Sequence, residues 1–423
     1  MIVLFAAIML QGLTGMVKTK PLRGYVKEAG IVPLTFESYY NGSYQASLTD
    51  QAKQKTGFRE FFIRFYNQAL YSCFHKITND NIVEGRDREL FLAMYLEEIT
   101  GKKFESAFGS IDEAKAMAEN NVKETLRLID TLHQHGKEFL FVFAPTKTAV
   151  YRDKLLRSYQ KRVSNFSLEE YYIELFQKYN IPHVDLYHYF LDIRDTVSYP
   201  LYTRLASHWA ESTIPFVADT ILRKIESLTG YHLPGIQVTD LNVTSEYSDY
   251  DKELELTMNL LLPWPKPALP KPVFSLQDTT GKDRPRLLVI GDSYFDQLMF
   301  SCFRDVFRNW DFWQYMLNVY SSRNYWGEPY ADIYDAPKVL QEADVVMAIF
   351  TAPMLYKYMY DFPEKAFTMI NTPDIEVLGI MEYIRREPEW MEKVVEQAEK
   401  RGITIEENLR INAEYYIDQT KNH

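Results

Sequence analysis

An apolar run closes on Gly291-Asp292-Ser293 in "LLVIGDSYFDQ", residues 287–297, and an amphipathic stretch comes directly after it. Ligands gather beyond the carboxyl ends of parallel strands, so a serine where a buried strand stops and a helix starts is placed for chemistry. Gly291 permits a tight backbone there. A helix from Tyr294 onward would leave unpaired amides at the serine, suited to an alkoxide or a tetrahedral oxyanion. Ser293 as a plain N-cap is the competing explanation. A hydroxyl is barely ionised at neutral pH, so a nucleophilic serine needs a base. Of the eight histidines, His133 and His135 end a helix, where dipole placement suffices. His183 and His188 flank a strand, His75 and His232 have no helpful neighbours, and His423 is the terminus. His208 remains, in "YPLYTRLASHWAEST", on a loop or helix entry, although a His-Trp pair also serves packing.

The surrounding elements alternate. Ser110-Ile-Asp-Glu113 fits a capping box, and the apolar positions from Ile111 to Leu132 recur at helical steps until Gly136. "FLFVFAP" then reads as a strand buried on both faces. Ser167-Leu-Glu-Glu170 opens another helix, "HVDLY" (183–187) is a short strand, and an amphipathic helix runs over about 213–228. "RLLVIGDS", "LNVYSS" and "ADVVMAIF" supply further strands. The pattern predicts an α/β fold: a mainly parallel sheet with helices on both faces. A Pro-, Thr-, Ser- and Asp-rich segment over about 231–283 has no helical period and reads as an irregular insertion with room for short strands. The tail from 374 reads as two or more helices, one opened by Glu387-Pro388 and closed by Gly402. The expected division is an apolar N-terminal segment (1–25), a main domain (26–373) and a helical extension (374–423).

Composition narrows the function. The 423 residues are 46% hydrophobic and 25% charged, ordinary for a folded protein. A net charge of −11 without basic blocks sets nucleic-acid binding aside. Cys73 and Cys302 have no metal-ligand spacing, and no metal is expected. The 31 tyrosines suit stacking on sugar rings as well as aromatic cores. The opening "MIVLFAAIMLQGLTGMV", with Lys18, Lys20 and Arg23 after it, lies in length between a signal-peptide core and a spanning helix. A signal anchor is expected, with an N-terminal core helix as the alternative.

Taken in order, four segments resemble a family, the SGNH-like polysaccharide O-acetyltransferases of the alginate-acetylation type, also called DHHW proteins. "NIVEGRDRELFL" (81–92) and "FVFAPTKTAVYRDKL" (141–155) are similar to two of its segments. "YPLYTRLASHW" (199–209) resembles the one that carries an Asp-x-His-Trp, and "LLVIGDSYFDQL" its nucleophile strand. The resemblance implies an acetyltransferase of the SGNH-hydrolase-like fold in which Ser293 takes the acetyl group and His208 is the base. It implies a polysaccharide acceptor, a membrane-bound O-acyltransferase as acetyl source, no soluble cofactor, and work at the periplasmic or extracellular face of the membrane. An acetylesterase using the same residues is the nearest alternative.

At the position of the family's orienting aspartate this sequence has Ala206. Three explanations stand: another carboxylate, with Asp185, Asp192 and Asp195 as candidates; a backbone carbonyl or Ser207; or loss of turnover in favour of a polysaccharide-binding or assembly role. Oxyanion donors would be the amide of Ser293 or Tyr294 plus Arg323, Asn324 or Tyr325 from the loop after the next strand. Asp292 and Trp209 adjoin the nucleophile and base, and Lys147 and Tyr151 would shape the site edge.

Overall fold

The computed structural model describes residues 2–24, 30–329, 336–371 and 374–421. His423 and both expected domain boundaries, near 25 and 373, adjoin or fall on residues outside that set. Eleven strands occur among the described residues: β1 (Ile82–Glu84), β2 (Leu90–Leu92), β3 (Glu138–Ala144), β4 (His183–Asp185), β5 (Gly235–Thr244), β6 (Leu269–Gln277), β7 (Arg286–Gly291), β8 (Asn309–Gln314), β9 (Asn318–Ser321), β10 (Glu328–Pro329) and β11 (Val345–Thr351). Seven form the central sheet in the order β10-β9-β8-β7-β11-β3-β4. The five strands from β8 to β4 run parallel, and β9 and β10 continue the edge antiparallel.

Side-chain alternation gives this sheet two cores. Along β7, Leu288 and Ile290 face the layer that holds the helices Ile111–Gln134 and Leu168–Lys178, whereas Leu287 and Val289 face the helix Ile214–Thr229. The same period of two runs through β3, where Phe139, Phe141 and Phe143 alternate with Leu140, Val142 and Ala144, all fully buried. Burial on both faces is why these strands read as continuous apolar runs. The expected α/β architecture therefore holds, with a mixed and mostly parallel sheet and helices on both faces. The expected helices begin where their caps were read: the Ser110 and Ser167 hydroxyls accept from the Glu113 and Glu170 amides.

Two segments are more regular than expected. β5 and β6 pair antiparallel into a long hairpin with one register shift near Val238, and between them lies a short helix, Glu253–Thr257. "NWDFWQ", not singled out in sequence, is β8, and "LNVYSS" is β9. The tail forms three helices, Ile375–Arg386, Pro388–Arg401 and Ile405–Lys421, with Gly402 in the left-handed conformation (φ 65°) after the second. They bury Met381, Ile384, Val394, Leu409 and Ala413 among themselves.

On the N-terminal helix Ile2–Thr14 the apolar side chains of Val3, Phe5, Met9, Leu10 and Leu13 are exposed, Val3 to 82% and Leu13 to 84%. It is not a core helix. Among the described residues no helix is long and apolar enough to cross a membrane.

Candidate active site

The site is built where β7 ends. A Cβ on Gly291 would lie 2.6 Å from Ile349 Cγ2 and 2.7 Å from the Ile349 carbonyl oxygen, so glycine is what lets β7 close against β11. Asp292 then locks the turn. Its carboxylate accepts from the Thr351 amide (2.8 Å), the Thr351 hydroxyl (2.7 Å) and the Tyr294 amide (3.0 Å). Burial pushes the Asp292 carboxyl up, against the pull of those bonds. Asp292, not Ser293, is therefore the capping residue, and the Ser293 hydroxyl is left for another partner. The chain continues in a 3-10 turn, Ser293–Phe295, and the short helix Asp296–Met299, not the longer helix expected.

The partner of the Ser293 hydroxyl is His208, 85 residues earlier in the chain: its Nε2 lies 3.0 Å from Ser293 Oγ. On the other side of the ring, Nδ1 lies 2.9 Å from Glu253 Oε1. A carboxylate only accepts, so Nδ1 carries the proton and Nε2 is free to take the serine's. Glu253 Oε1 accepts in addition from the Ser207 amide (2.7 Å), the Ser207 hydroxyl (2.8 Å) and the His208 amide (3.1 Å). Burial alone would lower the His208 pKa; the Glu253 charge and hydrogen bond reverse this and leave it raised. Burial likewise opposes ionisation of Glu253, and the imidazole with the Ser207 donors brings its pKa below the usual carboxylate value. Nearby Asp296 is pushed up to about 7, chiefly by burial.

The loop bearing His208 is held from three sides. Lys147, fully buried, donates from Nζ to the carbonyls of Thr203 (2.7 Å), Ala206 (3.1 Å) and Leu90 (2.9 Å), with Glu89 beside it at 2.8 Å. Burial lowers its pKa, and Glu89 opposes that. From the insertion, the amides of Leu254 and Glu255 donate to the Leu205 carbonyl. Beneath the imidazole, the Tyr294 hydroxyl donates to the Ser207 carbonyl (2.8 Å), and its ring lies 4.9 Å from that of His208. Trp209, fully buried, packs edge-on against Tyr294 at 5.0 Å. Tyr151 lies further off, its hydroxyl accepting from the Leu201 amide (3.1 Å).

Two groups of expected residues are corrected. Asp185, Asp192 and Asp195 do not reach His208. Asp185 accepts from the amide and Nδ1 of His188 (3.0 and 2.6 Å), Asp195 pairs with Arg194, and Asp192 is exposed. Asp185 ends β4, three strands from β7 across the sheet, a separation of about 14 Å at normal strand spacing. Arg323, Asn324 and Tyr325 belong to the opposite end of the sheet. Because β9 runs antiparallel, the loop after it returns to the strands' amino ends: the Ser322 amide donates to the Trp310 carbonyl, and Tyr325 packs on Trp310 and under Arg304. The loop that does reach the site is the β8–β9 turn. Its Tyr315, in the left-handed region (φ 53°), accepts at its hydroxyl from the Ser293 amide at 3.2 Å.

Sequence reasoning thus missed Glu253 and Tyr315. Ala206 left a carboxylate from elsewhere as one of three explanations. The acidic cluster Asp249, Asp251, Glu253 and Glu255 inside the insertion was the unexplored source. For Tyr315 the signal was weaker, an aromatic directly after an apolar strand. Among the described residues, no cluster of His, Cys, Asp and Glu could hold a metal ion.

A family model described as an SGNH hydrolase-like domain, acetyltransferase AlgX, matches residues 82–300, just over half of the chain. Similar solved structures include the O-acetyltransferase domain of Pseudomonas putida AlgJ, 17% identical with a TM-score of 0.43 over 69% of this chain and 99% of that one. Pseudomonas aeruginosa AlgX is 14% identical at a TM-score of 0.43, over 69% of this chain and 67% of that one. Bacillus cereus PatB1 carrying a sulfonyl adduct is 13% identical at 0.39, over 59% and 93%. No curated protein matches the sequence.

Proposed function

The chain belongs to the family of SGNH hydrolase-like acetyltransferases of the AlgX type, and from that premise we propose that it moves an acetyl group through an ester on Ser293 onto hydroxyls of an extracellular or cell-wall polysaccharide. The observation that carries this is the relay Ser293 Oγ, His208 Nε2, His208 Nδ1, Glu253 Oε1, with links of 3.0 and 2.9 Å at the carboxyl end of β7. As Ser293 attacks the acetyl carbonyl, its proton passes to Nε2 while the Oγ–C bond forms. The leaving group takes that proton as its bond to the acetyl carbon breaks. A sugar hydroxyl then attacks the ester, giving its proton to Nε2, and as the Oγ–C bond breaks that proton passes from Nε2 to Ser293 Oγ, restoring the free hydroxyl. Glu253 holds the tautomer and stabilises the imidazolium, the role the family gives to an aspartate. A glutamate so placed supports turnover over a purely binding role.

The oxyanion forms at the Ser293 amide. In the resting site the Tyr315 hydroxyl oxygen occupies that donor and keeps its own proton to give, so Tyr315 is the second donor once the carbonyl oxygen arrives. The acetyl source is a membrane-bound O-acyltransferase, and the exposed apolar helix Ile2–Thr14 with Lys18, Lys20 and Arg23 after it supports attachment at the outer face of the membrane.

The test is labelling with a serine-directed sulfonylating reagent, then transfer from a chromogenic acetyl ester. Wild-type protein takes one label and passes acetyl to an oligosaccharide; Ser293→Ala takes none. Unchanged labelling of Ser293→Ala would remove the nucleophile, and acetyl passed solely to water would make the protein an esterase.

A further inference from the structure

A cleft of about 230 Å³ opens between the β5–β6 hairpin and the segment after Ser293. Its apolar walls are Tyr250, Pro272, Phe274 and Phe300, and Phe300 stands 53% exposed at the rim. Tyr250 also meets the His208 ring edge-on at 6.2 Å, so the cleft is one side chain from the base. Gln297, four residues after Ser293, is part of the wall. It is 95% buried, and neither its amide nitrogen nor its amide oxygen has a hydrogen-bond partner. A buried amide left so loses its hydrogen bonds to water without replacement, and such a group in a folded protein asks for an explanation. The terminal amide torsion of glutamine is soft, so its unpartnered donor and acceptor are free to turn toward a ligand in the cleft that the residue lines.

Charge selects among ligands that fit this mixture of aromatic faces and one amide. The cation at the mouth, Lys271, is already paired with Glu211 at 2.8 Å. Asp251 accepts from the Glu211 amide, and Asp296 and Glu253 lie in the elements that flank the cleft. Burial holds Asp296 up at about 7 and Asp251 at about 6, so Asp296 adds little charge at neutral pH. Glu253 stays ionised and the one lysine of the lining is neutralised, so the field of the site opposes an anion.

Resting on the acyl-transfer reading, we propose that this cleft is an acceptor subsite that seats one neutral sugar ring, stacked on the aromatic wall and hydrogen-bonded by Gln297, and that it discriminates against uronate polymers. The ring's apolar C–H face meets Phe300 and Phe274, and its hydroxyls meet the amide. A neighbouring residue of the same chain then offers its hydroxyl to the ester on Ser293.

Binding is measured by calorimetry on the Ser293→Ala protein, which forms no ester, so the result is independent of whether Ser293 carries acetyl. The probes are cellotetraose, chitotetraose and tetragalacturonate. At least one neutral tetramer binds and tetragalacturonate binds at least tenfold more weakly. In the same background Phe300→Ala weakens the neutral tetramer about tenfold, Gln297→Leu does likewise, and Phe300→Tyr restores it. Melting curves verify that each variant is folded. Failure of both neutral tetramers, equal affinity for the uronate, or unaltered affinity in folded Phe300→Ala overturns the subsite. Sugar binding with no transfer by the wild-type protein instead sinks the acyl-transfer reading alone.

Discussion

At the scale of single residues the imidazole of His208 is governed chiefly by one carboxylate. Burial alone would lower its pKa, but the Glu253 charge and hydrogen bond, joined by the charges of Asp296 and Asp292, together leave it raised. In the proposed mechanism it must be neutral to accept the Ser293 proton. The rate therefore falls on the acid side, as pH drops through an apparent pKa above the ordinary 6.5. Removing the Glu253 charge lowers that pKa. Glu253→Gln should thus move the acid limb of kcat/KM to lower pH and cut kcat by about 10²–10⁴, because the amide no longer fixes the tautomer. A pH–rate profile of acetyl-ester turnover checks both effects, and an unmoved acid limb would show that Glu253 does not govern His208. Tyr315→Phe removes one proton from the proposed oxyanion pocket. The expected loss is about 10² in kcat with little change in KM for the ester, read from steady-state kinetics.

At the scale of elements, the His208 loop is a separate construction hung between the sheet and the insertion. Lys147 fills its interior with one ammonium and three carbonyls, and removing the ammonium leaves those carbonyls and Glu89 buried without their donor. Lys147→Met is expected to cost about 3–5 kcal/mol, seen in chemical denaturation, and to depress turnover through displacement of His208. Gly291 carries the opposite constraint, since any side chain there collides with Ile349. Gly291→Ala should lower stability by about 1–3 kcal/mol and shift Ser293 away from the imidazole. A melting curve together with the sulfonylation rate reports both.

At the scale of the whole molecule, the groups proposed to be catalytic come from the end of the sheet, from the loop before the helix Ile214–Thr229 and from the hairpin insertion. The C-terminal helices supply none. Those helices bury their own apolar set, and the last of them, Ile405–Lys421, packs on the helix Phe362–Asn371. A chain ending at residue 371 should keep sulfonylation at Ser293 within about twofold of the full chain, since sites that share no partners act independently. Loss of labelling in that shortened chain, with its melting transition intact, would show that the tail reaches the site.

Local chemistry was enough for the sequence to determine the strand–turn junction at Ser293, the capped helices at Ser110 and Ser167, and the doubly buried strands, because each rests on residues adjacent in the chain. His208 was legible as well, since a histidine on a loop upstream of such a serine has few competitors. What only the tertiary structure decided was the identity of the groups around them. The direction of β9 exchanged Arg323, Asn324 and Tyr325 for Tyr315, and periodicity cannot tell a parallel from an antiparallel partner. Glu253 lies 45 residues from His208 inside a segment without periodicity, and what brings them together is backbone hydrogen bonding of the insertion to Leu205. Such a contact depends on how a hairpin folds back over the sheet, and no local pattern of residue types encodes that.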